Sequence, residues 1–265
     1  MTAPDINAFF AATLAGDYED DAPWEAVRTL RRIASREVFN LAAEWCDSKD
    51  PLTRARGIDV LAQLGTTLDH PTNSFPEESY SIVSRLLSHE EDIQPLNSGI
   101  AALGHLNNPL AIPLITSYCG YRDANVRFSV ACALGSFAND PRNMQCLLLL
   151  MEDADEDVRD WATFGLGNQG DCDSNKIREA LLRRLKDSND DVRQEAMAGL
   201  GKRHDQRVLP FLLDTLDNPP VSDCVIEAAY QMLGMENDRA GWDPEDYATA
   251  LREHFGIRST DRLLP

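Results

Sequence analysis

The sequence predicts an all-α fold: a right-handed α-solenoid of about six to seven helical hairpins with a helical cap at each end. Three observations carry this expectation. Segments ending in Leu-Gly recur with their glycines at 65, 104, 135, 167, 201 and 234, a period near 33 residues, which is the length of a helical hairpin in a repeat array. Apolar runs of helical length fill the intervals. No alternating, β-branched pattern of a strand rises above them.

Taken in order, residues 1–23 form an N-terminal cap, with an amphipathic helix over Asp5–Ala15. Residues 24–240 form the array. Its Leu-Gly segments are Ile58–Gly65, Ser98–Gly104, Asn125–Gly135, Asp157–Gly167, Asp191–Gly201 and Ile226–Gly234. The first interval is long because His70–Glu78 inserts a polar, proline-containing loop. The first helices of the hairpins are the apolar runs Tyr80–Leu87, Leu110–Tyr118, Met144–Met151, Ile177–Leu185 and Val208–Leu216. Acidic turns such as Asp153–Asp157 and Asp187–Asp191 follow them; an aspartate there caps the next helix and suits its dipole. The closing glycine is expected to end each helix in a left-handed conformation. Residues 241–265 form a C-terminal cap and tail, with a helix over Asp243–Phe255. Caps are needed because the end repeats of an array would otherwise expose a core face.

The block Asp-x-x-Val-Arg-x-x-Ala-x-x-x-Leu-Gly, preceded by an apolar helix and an Asp-rich turn, resembles HEAT-like repeats of the phycobilin-lyase type. Residues 157–167 and 191–201 match it closely and 125–135 well. Residues 52–65, 93–104 and 221–234 match weakly, without the Val-Arg pair in register. The resemblance spans roughly residues 24 to 234. It implies that the Val-Arg helix is the inner one and lines a groove. It also implies that Arg127, Arg159 and Arg193 pair with turn aspartates such as Asp123, Asp153 and Asp187 in a structural ladder between repeats.

The chain carries 25 Lys+Arg against 44 Asp+Glu, a formal net charge of −19, with 43% hydrophobic residues. That apolar content supports a packed core. The acidity argues against a nucleic-acid or anionic-membrane binder, since both require a basic face. No apolar run is long enough to cross a membrane, and no basic segment precedes Arg28 to start a secretory signal. The six cysteines (Cys46, Cys119, Cys132, Cys146, Cys172, Cys224) are scattered without a CxxC pair, which reads as reduced thiols in a cytoplasmic protein.

Chemical motifs are few. Gly165-Leu-Gly-Asn-Gln-Gly170 has the spacing of a dinucleotide loop, but it closes a helix where that loop opens one. Asp171-Cys-Asp-Ser-Asn175 begins like a calcium loop, then places Lys176 and Leu182 where glycine and glutamate are required. His70, His89, His105, His204 and His254 form no HExxH; His105 and His204 read as turn residues. No metal, cofactor or catalytic residue is expected. On the helical wheel of 158–167, Val158, Ala162, Gly165 and Leu166 form the packed stripe. Asp160 and Phe164 face the other way, flanked by Trp161 and Thr163. Equivalent columns hold Phe128 and Gln194, with Glu195 beside them. Phe128, Asp160, Trp161, Phe164, Gln194 and Glu195 therefore form the expected partner-binding groove: aromatics rimmed by acids suit a basic protein or peptide.

The leading expectation is a non-enzymatic protein-binding scaffold, in one version an immunity-type inhibitor of a basic bacterial toxin. The family resemblance also implies two enzymatic alternatives, a bilin-attaching lyase and a HEAT-like nucleic-acid repair protein. The second requires the basic groove that this chain lacks.

Overall fold

A computed structural model of the protein describes residues 5–236 and 241–258. Residues 1–4 and 259–265 of the expected caps and tail, and 237–240 at the end of the expected array, lie outside the described residues. Within them the chain is helical with no strand. It divides between Phe137 and Ala138 into two compact units.

The first unit holds α1 (Ile6–Thr13), α2 (Asp21–Ile33), α3 (Arg36–Trp45), α4 (Pro51–Ala62), α5 (Pro76–Leu87), α6 (Ile93–Leu106), α7 (Ile112–Thr116) and α8 (Ala124–Gly135). Consecutive helices pair as antiparallel hairpins, and the second members α2, α4, α6 and α8 pack on one another in succession. Residue 23, where the sequence reading ends the N-terminal cap, lies inside α2. The second unit holds α9 (Met144–Leu150), α10 (Glu156–Phe164), α11 (Asn175–Arg184), α12 (Asp190–Lys202), α13 (Leu209–Asp217), α14 (Asp223–Met232) and α15 (Pro244–Phe255). Here α10, α12 and α14 stack, and α15 packs on α13 and α14. No helix among the described residues is long and apolar enough to cross a membrane.

The repeat shows in the core. Val126, Val158 and Val192 occupy one column, Val130, Ala162 and Ala196 a second, and Leu134, Leu166 and Leu200 a third, all essentially without exposure. The spacing of four residues keeps each trio on one stripe of its helix. Every such helix starts on a side-chain cap: Asp123 accepts from the backbone N–H groups of Asn125 and Val126, Asp155 from those of Asp157 and Val158, Asn189 from those of Asp191 and Val192. These satisfy donors that a helix start leaves unpaired.

The repeating glycines act differently from the sequence expectation. Only Gly65 and Gly234 of that column are left-handed, at φ 81° and 71°. Gly104 and Gly201 lie inside helices at close approaches: a Cβ on Gly104 would meet Ala133 Cα at 2.8 Å, and one on Gly201 would meet Ala228 Cα at 2.7 Å. They are selected for inter-repeat distance, because the neighbouring backbone occupies the space a methyl group would need.

After α10 the chain makes one π-helical turn, Gly165–Gln169. This is the segment with dinucleotide-loop spacing, and buried Arg203 closes it. Its guanidinium donates to the carbonyls of Leu166 (3.0 Å), Gly167 (2.5 Å), Gly170 (3.2 Å), Cys172 (2.8 Å) and Gly199 (2.8 Å). Asp171 and Asp173, the start of the calcium-like stretch, pair with Lys202 and Arg178. Cys119 and Cys146 are disulfide-bonded, which corrects the expectation of six reduced thiols; Cys46, Cys132, Cys172 and Cys224 remain thiols. Disulfides persist mainly in oxidising compartments, so the cysteines do not argue for a cytoplasmic location.

Candidate partner-binding face

The arginine column forms a recurring clasp. Arg127 donates to the carbonyls of Tyr121 (2.8 Å) and Arg122 (3.3 Å). Arg159 donates to those of Asp153 (2.9 Å) and Ala154 (3.1 Å), and Arg193 to those of Asp187 (2.7 Å) and Ser188 (3.2 Å). Each guanidinium thus holds the two carbonyls five and six residues before it, tying the turn to its own helix. Arg159 also reaches the next repeat, where it makes a bidentate pair with Asp187 at 2.8 and 2.9 Å. Burial pushes the Asp187 carboxyl up, but the bonds from Arg159 and the Asn189 N–H outweigh it and hold it below the usual carboxylate range. Asp123 is the α8 cap, Asp153 accepts from the Asp155 N–H, and Arg193 also pairs with Asp190.

A fourth arginine of this kind was hidden in a weakly matching repeat. Arg54 donates to the carbonyls of Ser48 (3.0 Å) and Lys49 (3.1 Å) and reaches forward to Glu90 (2.7 and 2.8 Å) and Asp92 (2.7 Å). The signal was the cap: Arg54, Arg127, Arg159 and Arg193 each stand four residues after an Asx N-cap (Asp50, Asp123, Asp155, Asn189).

The expected groove residues Asp160, Trp161 and Phe164 lie on α10, and Gln194 and Glu195 on α12, all in the second unit. Phe128 lies on α8 of the first unit, half-buried. Trp161 is 39% exposed and meets Phe164 edge-on at 5.8 Å between ring centres. Thr163 is fully buried and bonds to the Arg159 carbonyl at 2.7 Å, so it does not flank this face. Gln194 is half-buried. Glu195 accepts from the Asn168 amide and from the Cys224 thiol at 3.6 Å. Asp160 keeps one enclosed carboxylate oxygen without a hydrogen bond, an arrangement that costs roughly 1–3 kcal/mol.

The electrostatics set these two acids apart. Burial, then the charges of Asp191 and Asp157, push the Asp160 carboxyl up to about 6. Burial, then Asp160 and Glu227, push the Glu195 carboxyl up to about 7, against the lowering effect of Cys224 and Asn168. Burial and Glu195 in turn push the Cys224 thiol up to about 12, so it remains a thiol donor and not a nucleophile. The charged groups that shift this pair, Asp157, Asp191 and Glu227 beside the two acids themselves, are all negative. A cation or hydrogen-bond donor from another molecule would relieve both the repulsion and the unpaired oxygen.

Sequence reasoning missed a second polar centre, in the first unit. Arg56 is 1% exposed. It donates to the carbonyls of Thr13 (2.9 Å) and Tyr18 (2.8 Å) and to Asp59 (3.4 Å), and its guanidinium lies 4.0 Å from the Tyr18 ring centre. The Tyr18 hydroxyl donates to Asp59 (2.8 Å) and is 3.0 Å from the Ser98 hydroxyl. Burial raises both Asp59 and Tyr18 above their ordinary values. Arg31 donates to the Asp59 carbonyl (3.0 and 2.7 Å) and to Gln63 Oε1 (2.6 Å). These residues are spread over eighty positions, and no local spacing announces them.

Comparison with known proteins supports the repeat reading. The family model for HEAT repeats matches residues 81–167 and 145–234. Protein YibA of Escherichia coli strain K12 is 30% identical over 213 residues, covering 78% of this chain and 74% of its own. The crystal structure of E. coli YibA aligns with a TM-score of 0.71 at 24% identity, over 95% of this chain and 92% of that one. A designed armadillo repeat protein in complex with the peptide (KR)4 aligns with a TM-score of 0.51 at 16% identity, over 74% of this chain and 98% of its own. The CpcE–CpcF phycocyanin lyase complex from Nostoc sp. PCC7120 aligns over 89% of this chain and 96% of its own, at only 0.49 and 14% identity. That likeness is too slight to bear on activity.

Proposed function

The chain belongs to the HEAT-repeat family, and from that premise we propose that it is a protein-binding scaffold without a catalytic step of its own. Its partner presents basic side chains to the face built by Asp160, Trp161, Phe164, Gln194 and Glu195. The observation that supports this most is the uncompensated acid pair. Asp187, Asp173 and Glu90 each lie against an arginine, whereas Asp160 and Glu195 are surrounded by acids next to an exposed tryptophan. A cationic side chain would gain two carboxylates and an aromatic surface. Support from fold is general: a designed solenoid of related architecture takes a (KR)4 peptide. A protein inhibitor of a basic toxin is one form this role takes, through charge-steered association.

The test is titration of the protein with an alternating Lys-Arg octapeptide at physiological ionic strength. Asp160→Asn with Glu195→Gln is expected to weaken binding at least tenfold, and Trp161→Ala by a comparable factor. Glu77→Gln with Glu91→Gln removes at least as much charge from exposed sites elsewhere and should leave affinity within about twofold. Equal losses in both double variants would reduce the effect to net charge and overturn the assignment of this face.

A further inference from the structure

The buried polar centre of the first unit lies on the repeat columns that form the candidate partner-binding face in the second. Arg56 stands six residues and Asp59 nine residues after the N-cap Asp50 of α4, and Ser98 stands six after the N-cap Asp92 of α6. At the same two offsets α10 carries Trp161 and Phe164, and at the first of them α12 carries Glu195. Trp161 is 39% exposed, whereas Arg56 is 1%, Asp59 5% and Ser98 6% exposed. A segment of the same chain covers them, the loop 14–20 between α1 and α2, through Tyr18. The Tyr18 hydroxyl donates to Asp59 at 2.8 Å and lies 3.0 Å from the Ser98 hydroxyl. Its ring centre is 4.0 Å from the Arg56 guanidinium and meets Trp24 of α2 edge-on at 5.5 Å. Arg56 also donates to the Tyr18 carbonyl at 2.8 Å.

We infer that this socket is a tyrosine-recognition site of the repeat array, filled in cis by Tyr18, and that a tyrosine-bearing peptide of a partner takes it by replacing that side chain. The ligand class follows from the contacts the socket already makes. A phenol supplies both a ring to lie against a guanidinium and a hydroxyl to donate to a buried carboxylate. Phenylalanine would leave Asp59 short of a donor, and serine or threonine would leave Arg56 without its ring. The cover is built for exchange. Ala15, Gly16, Asp17, Glu19 and Asp20 around Tyr18 are exposed, and their turn is closed on itself, the Asp17 N–H reaching Asp20 at 2.9 Å and the Asp20 N–H the Asp17 carbonyl at 3.2 Å. Helix α1 has its own anchors, Phe10 edge-on against Trp45 at 4.7 Å and the Thr13 carbonyl on Arg56 at 2.9 Å, so Tyr18 can leave without it. An empty socket is costly, because Asp59 and Arg56 would be buried with partners missing; an incoming tyrosine removes that cost. The site stands whether or not the acidic face of the second unit takes a basic partner.

Calorimetric titration of the full chain carrying Tyr18→Ala with acetyl-Gly-Asp-Tyr-Glu-Asp-amide, the sequence of residues 16–20, tests it. Saturable binding is expected. The unmodified chain should bind the peptide about tenfold or more weakly, because its socket holds a tethered competitor. The same peptide with phenylalanine at the tyrosine position carries equal charge. It should bind the Tyr18→Ala chain about tenfold less tightly, the usual worth of one hydrogen bond to a charged group. If Tyr18→Ala does not fold, Tyr18→Phe, which keeps a ring against Arg56, replaces it in both comparisons. The tyrosine peptide should then bind Tyr18→Phe more tightly than it binds the unmodified chain, and more tightly than the phenylalanine peptide does. Equal affinity for the variant and unmodified chains, equal affinity of the two peptides, or no binding at millimolar peptide overturns the inference.

Discussion

Glu195→Gln should make the protein more stable at pH 8 and change it much less at pH 5. The free glutamate titrates near 4.5, and in the folded chain burial and Asp160 raise it to about 7. A raised acid pKa means the folded state holds its proton more tightly than the unfolded state does. Stability is therefore lost as pH rises from about 4.5 to 7, and the full cost persists above that window. The full shift corresponds to about 3 kcal/mol. Glu195 is only half-buried, so solvent screening reduces this to ~1–2 kcal/mol. Glutamine keeps the shape and can still accept from Asn168, while removing the charge that Asp160 repels. The expected gain at pH 8 is ~1–2 kcal/mol, or ~2–8 °C in Tm for a chain of this size. At pH 5 less than half of that should remain, because most of the cost has not yet accrued. Urea unfolding at the two pH values measures it directly. A loss of stability at pH 8, or an equal gain at both values, would refute the claim that this acid is held at a cost to the fold.

Two further predictions address the scaffold. Gly201→Ala should destabilise by ~1–3 kcal/mol in urea unfolding, since the new methyl would lie 2.7 Å from Ala228 Cα and 2.9 Å from its carbonyl oxygen. A gain of ~1 kcal/mol, the ordinary helix preference for alanine over glycine, would show that the close approach is not real. Arg203→Met should cost ~3 kcal/mol or more by the same measurement, because the carbonyls of Leu166, Gly167, Gly170, Cys172 and Gly199 lose a buried charged donor together.

The fold was legible because its signals are local and repeated. The period, the valine–alanine–leucine stripe of 158–166 and the Asx turns each recur where a hairpin needs them. The role of the glycines was not legible. A glycine ending a Leu-Gly segment looks the same whether it turns left-handed, as Gly65 does, or makes room for a neighbouring helix, as Gly201 does; the difference lies in a contact some 27 residues away. Arg54 escaped because the motif was aligned on Val-Arg, whereas the physical constraint is an arginine four residues after the cap. Of the candidate face, the wheel placed Trp161 at the surface and Val158 in the core. It could not place Asn168 and Cys224 against Glu195, since those contacts join three helices. Thr163 was assigned outward by angle alone, while its hydroxyl returns to the Arg159 carbonyl and lets it sit in the core.

The net charge of −19 cannot by itself identify a partner, but the direction in which each acid is perturbed separates its components. Asp171, Asp173, Asp187, Asp205 and Glu90 are all held below their ordinary values, in each case with a lysine or arginine among the causes. Those charges are already matched inside the repeats, and a partner would have to break existing bonds to use them. Asp160 and Glu195 are displaced the opposite way, with acids as their charged neighbours. For them a cation brought from outside adds an interaction and breaks none. Two aspartates of one repeat array, Asp187 in a turn and Asp160 on α10, can thus have opposite significance for binding, and what separates them is whether an arginine of the same chain arrives first.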